Sequence, residues 1–465
     1  MAELGGDSKP IAAADITAAA LAAEAEAAPD LTAAAVEVIP PEVIAQSLGQ
    51  YFRAWFARIR GGDAGVLPAV AALVIVAIVF EIVIANGIYL GNRNLVGMFD
   101  QSTLFIILAI GEGFVLLLGE IDLSIGYVAA IGGIVAGLLV QPQAPPSDYF
   151  HNWPWWGAIV VALLVCGAIG FVNGFIVTRL RLSSLIVTLG AQMFWFGMMI
   201  VVLGKAGGFS VGNTGPGDQR AIYGIVYSYI DPIIALIGLV VIVAVIGGSM
   251  WIRDAGRRRS GLVAPPIGLT VAKIALLPVA GIVVVFICAQ DRSIGVKSNP
   301  VIGVPWVVLV VLVVVLGATL LLERTQFGRH VYAVGGNPEA ARRAGVGVTA
   351  VRTWAFVLAG ATAGLGGIVA VSYQGGITTN FNGGQNVLFA VAAAVIGGTS
   401  LFGGRGRAIH GLLGGLTIGA IYNGLYGLAM PIEYQYIATG LVLLAAVSVD
   451  ALSRRSATQG SVARV

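Results

Sequence analysis

ERTQFGRHVYAVGGNPEAARRAGVGVTAVRT, residues 323–353, is a polar insert between two long apolar runs. Val304 to Leu322 before it is nearly continuous Val, Leu and Ile, and Trp354 to Val371 after it is apolar again. Runs of that length cross a bilayer, so the segment between them must lie in water. Arg324, Arg329, Arg342, Arg343 and Arg352 outweigh Glu323 and Glu339, and a basic excess of this kind places the loop in the cytoplasm. Within it, Pro338 followed by Glu339, Ala340, Ala341, Arg342, Arg343 and Ala344, with Gly345 as the stop, predicts a short helix. No nucleophile, metal cluster or phosphate cradle is present. The residue types fit either a solvated connection or a rigid docking element, and the ordered Asn-Pro start and Gly stop favour docking.

Working outward, the 465 residues are 58% hydrophobic and 11% charged, with a mean hydropathy of +0.92. That composition excludes an ordinary soluble domain and predicts an all-α, polytopic bundle of 10–12 transmembrane helices. Apolar runs place spans at Val66 to Ala85, Thr103 to Leu118, Ser124 to Val140, Gly157 to Val177, Leu185 to Leu203 and Pro232 to Trp251. A second group follows at Val271 to Cys288, Val304 to Leu322, Trp354 to Val371, Val387 to Phe402, Ile409 to Leu428 and Tyr436 to Val449. Short, glycine-interrupted runs such as Val387 to Phe402 read equally as broken or re-entrant helices. The Arg clusters at 179/181, 253–259, 323–353, 405/407 and 454/455 fall on one side, which puts both termini in the cytoplasm. Residues 1–50 form an acidic, Ala-rich segment with no signal-peptide pattern, expected to be a disordered cytoplasmic tail. The membrane domain is assigned to 51–452 and a second cytoplasmic tail to 453–465. Val43 to Arg60 has the spacing of a helix lying on the membrane surface. Cys166 and Cys288 sit in apolar runs without disulfide or zinc spacing. The aromatic group Tyr149, Phe150, Trp153, Trp155 and Trp156 reads as an outer interfacial belt.

The second informative stretch runs from Gly111 through Glu112 and Gly119-Glu120-Ile121-Asp122-Leu123-Ser124-Ile125-Gly126. A carboxylate at mid-bilayer costs roughly 2.5–3.5 kcal/mol on insertion scales, so Glu112 is expected to face the bundle interior. Asp122 and Ser124 precede a new helix, and their plain reading is a helix start. Ser184-Leu185-Ile186-Val187-Thr188-Leu189-Gly190 and the run Ala392 to Gly406, with Gly397 and Gly398, offer close helix approach or helix breaks. Glu81, Asn173, Gln192, Asn386 and Asn423 stand inside apolar runs, where an interhelical hydrogen bond is the ordinary role. Asn423 is kept as a candidate that faces substrate.

Several of these stretches resemble known ones. The spacing Glu-Ala-Ala-x-x-x-Gly at Glu339 to Gly345 is similar to the coupling loop of bacterial ABC importer permeases. The flanking Thr325-Gln326-Phe327-Gly328-Arg329 and Ala333-Val334-Gly335-Gly336-Asn337 resemble its form in monosaccharide permeases of the ribose and xylose type. Gly119 to Gly126 is similar to the Gly-Gly-Ile-Asp-Leu-Ser-Val-Gly signature of sugar permeases, with Glu120 at the second glycine. The resemblance implies a membrane permease for a monosaccharide, with a pentose such as xylose expected. It implies a permease dimer in the bacterial inner membrane, a separate ATPase and an extracytoplasmic sugar-binding protein. ATPase coupling falls to Gly328, Arg329, Asn337, Glu339, Ala340, Ala341, Arg342, Arg343 and Gly345. Translocation and gating fall to Glu112, Gly119, Asp122, Ser124, Gly126, Thr188, Gly397, Gly398 and Asn423. The chain has no Walker A pattern, so no catalysis, cofactor, metal or nucleic-acid partner is expected of it. An ABC permease for branched-chain amino acids or nucleosides shares the plan. An ion-coupled secondary transporter would rest on Glu81 and Glu112 alone, and a membrane enzyme lacks a nucleophile–base constellation around His151, His330 or His410.

Overall fold

The computed structural model describes residues 65–84, 87–142, 152–212, 217–262, 264–293, 300–431 and 433–438, with single positions 49, 50, 53, 56, 440, 441, 444 and 448. The expectations for residues 1–48, for the tail at 453–465, for Tyr149, Phe150 and His151, and for most of the last span fall outside them.

Besides the 3-10 turn Gly204–Ala206 and helical residues 433–438, fourteen α-helices and four short strands follow in chain order among the described residues: α1 Leu67–Ile84, α2 Asn92–Leu116, α3 Ile125–Leu139, α4 Trp155–Leu180, α5 Ser184–Leu203, β1 Gly208–Ser210, α6 Gly217–Tyr227, β2 Tyr229–Ile230, α7 Pro232–Arg259, α8 Ile267–Cys288, β3 Val304–Pro305, α9 Trp306–Arg324, α10 Gln326–Gly336, α11 Pro338–Arg343, α12 Val348–Gln374, β4 Gly376–Thr378, α13 Gly383–Gly397 and α14 Ala408–Gly427. Nine of them are long and apolar enough to cross a membrane, and α3 and α13 are shorter apolar helices. The expected polytopic helical bundle is therefore the observed one.

The chain divides into two units. In the smaller, which includes Trp251–Thr270, Asp254 accepts from Arg253 Nε at 3.1 Å and Thr270 Oγ1 at 2.9 Å, and Arg258 donates to Pro265 O at 2.9 Å. The larger unit holds Phe56–Met250 and Val271–Val465. Its centre is α12, which packs on α2, α3 and α4, while α14 packs on α2 and α13. Small residues permit this closeness: Cys166 is fully buried between α3 and α12, with its Sγ 3.4 Å from Val128 O. The apolar side chains of α1, α7 and α8 remain largely exposed, Ile75, Ile82, Val240, Leu276 and Phe286 among them, as helices facing acyl chains do. Trp153, Trp155 and Trp156 are exposed as well.

Three boundaries differ from the sequence reading. Residues 323–353 are mostly helical: Thr325 caps α10 by accepting from Gly328 N at 3.2 Å, and Phe327, Val331 and Val334 share its packed face. α2 starts at Asn92, eleven residues before the apolar run at Thr103. Hydropathy misses these three turns because Asn94, Asp100 and Gln101 are polar, yet Val96 and Asp100 are buried. The helix α6 was not expected at all; its amphipathic eleven residues are too short and too polar for a span.

The chain direction sorts the connections into two ends. At one end β1 pairs with β4, β2 pairs with β3, and Tyr227 Oη donates to Tyr373 O at 2.8 Å. At the other lie α10, α11, the link between α2 and α3, and the link between α13 and α14.

Candidate functional site

The second end holds most of the residues singled out by sequence. Asn337 caps α11, its Oδ1 accepting from Glu339 N at 3.1 Å and Ala340 N at 3.0 Å, with Pro338 in the first turn. Glu339 pairs with Arg342 at 2.9 Å and with Arg343 at 3.6 Å. Ala341 is the buried anchor of the helix, and the charged side chains stand exposed. Gly345 has φ +83°, a left-handed conformation that glycine adopts without strain; Gly345 N bonds Arg342 O at 3.0 Å, closing the helix.

Three backbones meet just before this helix. Gly404 N donates to Leu117 O at 2.8 Å, and a Cβ on Gly335 would collide with that same carbonyl. Tyr332 Oη donates to Gly406 O at 2.7 Å, and Arg407 Nε lies 3.2 Å from Glu323 Oε1. Burial pushes the Tyr332 hydroxyl above its ordinary value, which keeps it a donor. Gly328 lies against the Leu322 carbonyl, and Arg329 continues α10. Beside α11 a cleft of about 680 Å³ is lined by Arg179, Arg181, Arg342 and Arg352, with Thr349 at the start of α12.

The link from α2 to α3 is clamped from several sides. Asp122 N donates to Glu112 Oε1 at 3.0 Å, Leu123 N to Thr188 Oγ1 at 3.0 Å and Ile121 N to Ser184 Oγ at 3.4 Å. Asp122 Oδ1 accepts from Ser124 N at 2.9 Å and Ser124 Oγ at 2.6 Å, while Asn173 Nδ2 donates to Ser124 Oγ at 2.9 Å. Glu112, Asp122, Ser124 and Thr188 are all buried. The helix-start reading needs one correction. Ser124 is the residue before α3, but its side chain caps no helical amide; Asp122 instead folds the link upon itself and orients Ser124 toward α4. Gly119 has φ +74° next to the carbonyl of Phe402, and Glu120 forms an ion pair with Arg352 of α12 at 3.3 Å.

The glycine positions serve close approach: Gly126 of α3 faces Gly383 of α13, and Gly397 and Gly398 face His410 of α14. Asn423 is not among them. Its Oδ1 accepts from Asn94 Nδ2 at 2.9 Å, a bond between α14 and α2, so its polar group is used in packing. Sequence reasoning missed a separate polar cavity of about 260 Å³ lined by α2, α12, α13 and α14. Its residues Asp100 and Gln101 lie before the apolar run, where only the neighbouring Val96 and Phe99 at helical spacing signal that the helix has begun.

Together these features define a multi-pass membrane protein with a capped, charged helix presented at one end. Residues 94–447 match the family described as "Branched-chain amino acid transport system / permease component", and the chain belongs to that permease family. It is 30% identical over 404 residues to the xylose transport system permease protein XylH of Escherichia coli (strain K12), covering 86% of this chain and 95% of the relative. The D-allose transport system permease protein AlsC of the same organism is 28% identical over 364 residues, 78% of this chain and 85% of the relative. The ribose import permease protein RbsC is 28% identical over 381 residues, 82% and 92%. No solved structure matches. The expected class, a membrane permease subunit of a monosaccharide ABC importer, stands.

Proposed function

We propose that this chain forms the transmembrane path of a pentose importer and, as a dimer in the bacterial inner membrane with both termini cytoplasmic, is driven by a separate ATPase and supplied by an extracytoplasmic sugar-binding protein. The sugar class is supported by the relatives, whose names specify xylose, allose and ribose. The sidedness is supported by the Arg-rich ends of α4, α7 and α9.

The observation that carries the coupling role is α11 itself. It is a six-residue helix with its own cap, its own ion pairs and a glycine stop, presenting Glu339, Arg342 and Arg343 outward. An ATPase shifts a transporter between states only by differential contact with them. A helix of fixed shape joined through α10 to the end of α2 delivers that contact as a push. The push reaches the 117–124 link by two routes, the Leu117 carbonyl and the Glu120–Arg352 pair. The basic cleft beside α11 suits acidic side chains of the ATPase surface.

The test is reconstitution of the permease with its ATPase and binding protein in liposomes, with uptake of D-xylose, D-ribose and D-allose measured in competition. ATP-dependent accumulation of D-xylose is the expected result. Accumulation of L-valine instead would overturn the sugar reading. Labelling of Arg258→Cys by an impermeant reagent from the outside would overturn the sidedness.

A further inference from the structure

The polar cavity between α2, α12, α13 and α14 is lined by residues outside the stretches that carry the family resemblance, and its chemistry is specific. Asp100 of α2 is 8% exposed, and its Oδ1 has no hydrogen-bond partner among the described residues. Oε1 of Gln101 and Nε2 of Gln385 on α13 are buried and unpartnered in the same way. All three residues line one cavity of about 260 Å³. Unpaired buried polar atoms are costly, so residues that carry two unpaired acceptors and one unpaired donor and line one cavity point to a polar occupant that they turn to meet.

The cavity has an aromatic floor. Phe105 stands one helical turn after Gln101, and Phe389 one turn after Gln385. With Tyr422 of α14 they form a cluster of edge contacts, with ring centroids 5.0 Å apart for Phe105–Phe389 and 6.0 Å apart for each of the other two pairs. Phe105 and Phe389 are almost completely buried. Along α2 and α13 Phe105 and Phe389 follow Gln101 and Gln385 toward the end that carries α11, and so form the side of the lining nearest that end.

We infer that this cavity is a monosaccharide-binding station inside the permease, with Asp100, Gln101 and Gln385 as hydroxyl partners and the Phe105–Phe389–Tyr422 cluster as the aromatic floor beneath it; the inference rests on the importer reading above. A sugar ring matches each part. Its hydroxyls both donate and accept, so they satisfy a carboxylate oxygen, an amide oxygen and an amide nitrogen together. Its C–H face suits the aromatic edges below. The volume is just under the lower end of roughly 300–1,000 Å³ typical of drug-sized ligands, which selects a single ring. The described lining contains no Lys or Arg, so no lining side chain pairs directly with the carboxylate of an amino acid; the charge of Arg292 acts on Asp100 from outside the lining.

The test is substrate protection in the full complex with its ATPase, reconstituted in nanodiscs without the binding protein. The native thiols Cys166 and Cys288 are buried, so Gln385→Cys can be followed with a small methanethiosulfonate reagent. D-Xylose at saturating concentration is expected to slow labelling of Gln385→Cys at least about 3-fold by occupancy, and L-valine to leave it unchanged. Leu388→Cys, exposed on the same helix, is expected to react at the same rate with and without sugar. If Gln385→Cys fails to assemble, Gln101→Cys gives the same readout. An unchanged rate with D-xylose, in a wild-type complex that takes up D-xylose, overturns the station while leaving the importer reading intact. Failure of the wild-type complex to accumulate any sugar in liposomes overturns the importer reading on which the station rests. Protection by L-valine in place of D-xylose overturns the assigned ligand class.

Discussion

The helix α11 and the 117–124 link use their polar groups in opposite ways. α11 satisfies itself: Asn337 caps it, Arg342 and Arg343 neutralise Glu339, and only Ala341 is buried against a neighbour. The link directs its groups outward, to Glu112 of α2, Asn173 of α4, Ser184 and Thr188 of α5, and Arg352 of α12. A segment whose bonds are local keeps its shape wherever its neighbours carry it. A segment whose bonds are shared among four helices must rearrange when any of them shifts. The first is suited to being pushed, and the second to registering the push.

The strongest way to break this contrast is to empty the link of its central acceptor. Asp122→Leu leaves the Ser124 amide and hydroxyl without their shared partner in a buried site, a loss of about 2–4 kcal/mol. Thermal unfolding of the purified permease in mild detergent should fall accordingly, and transport should be lost. Asp122→Asn retains an accepting oxygen and should keep substantial transport; complete loss at normal abundance would mean that the negative charge itself is required. Next in size is the tie between the two regions. Arg352→Gln strands Glu120 at 15% side-chain exposure and should cost on the order of 1–2 kcal/mol. The double exchange Glu120→Arg with Arg352→Glu should recover at least half of it, read from the same unfolding curves.

Smaller effects should be confined to α11. Asn337→Ala removes the cap from two amides at a local cost of about 1 kcal/mol. It should increase amide hydrogen exchange in residues 338–343 while leaving that of the 117–124 link unchanged. Exchange rising in both would show that the two are one folding unit and erase the contrast. Smallest is Glu339→Gln, where solvent screening of an exposed pair limits the loss to about 0.5 kcal/mol; unfolding should barely move.

The same contrast explains what was legible beforehand. The short helix over 338–343, its proline start, its glycine stop and its dipole-matched charges are all encoded within eight consecutive residues, so the sequence alone reveals them. Membrane spans are legible because twenty apolar residues carry their own signal, as at α1 and α8. The partners of the 117–124 link are only partly legible, because Glu112 is near in sequence but Asn173, Ser184 and Thr188, which bond Ser124, Ile121 and Leu123, are not. The ordinary reading of Asn423, an interhelical hydrogen bond, leaves its partner unnamed for the same reason: nothing local to it announces Asn94, 329 residues away. The cavity at Asp100, Gln101 and Gln385 was hidden differently, since polar residues at the ends of apolar runs look like loop until the helix is seen to continue through them.

The central claim is that α11 transmits ATP-driven work, and sugar-stimulated ATP hydrolysis in the reconstituted complex tests it most directly. Gly345→Val forces a β-branched side chain into φ +83°, and Glu339→Lys reverses the charge at the helix start. With each variant at normal abundance in the membrane, association with the ATPase should weaken and stimulation by sugar should disappear. If both variants retain ATPase co-purification, stimulated hydrolysis and sugar uptake at wild-type levels, α11 is not the coupling element.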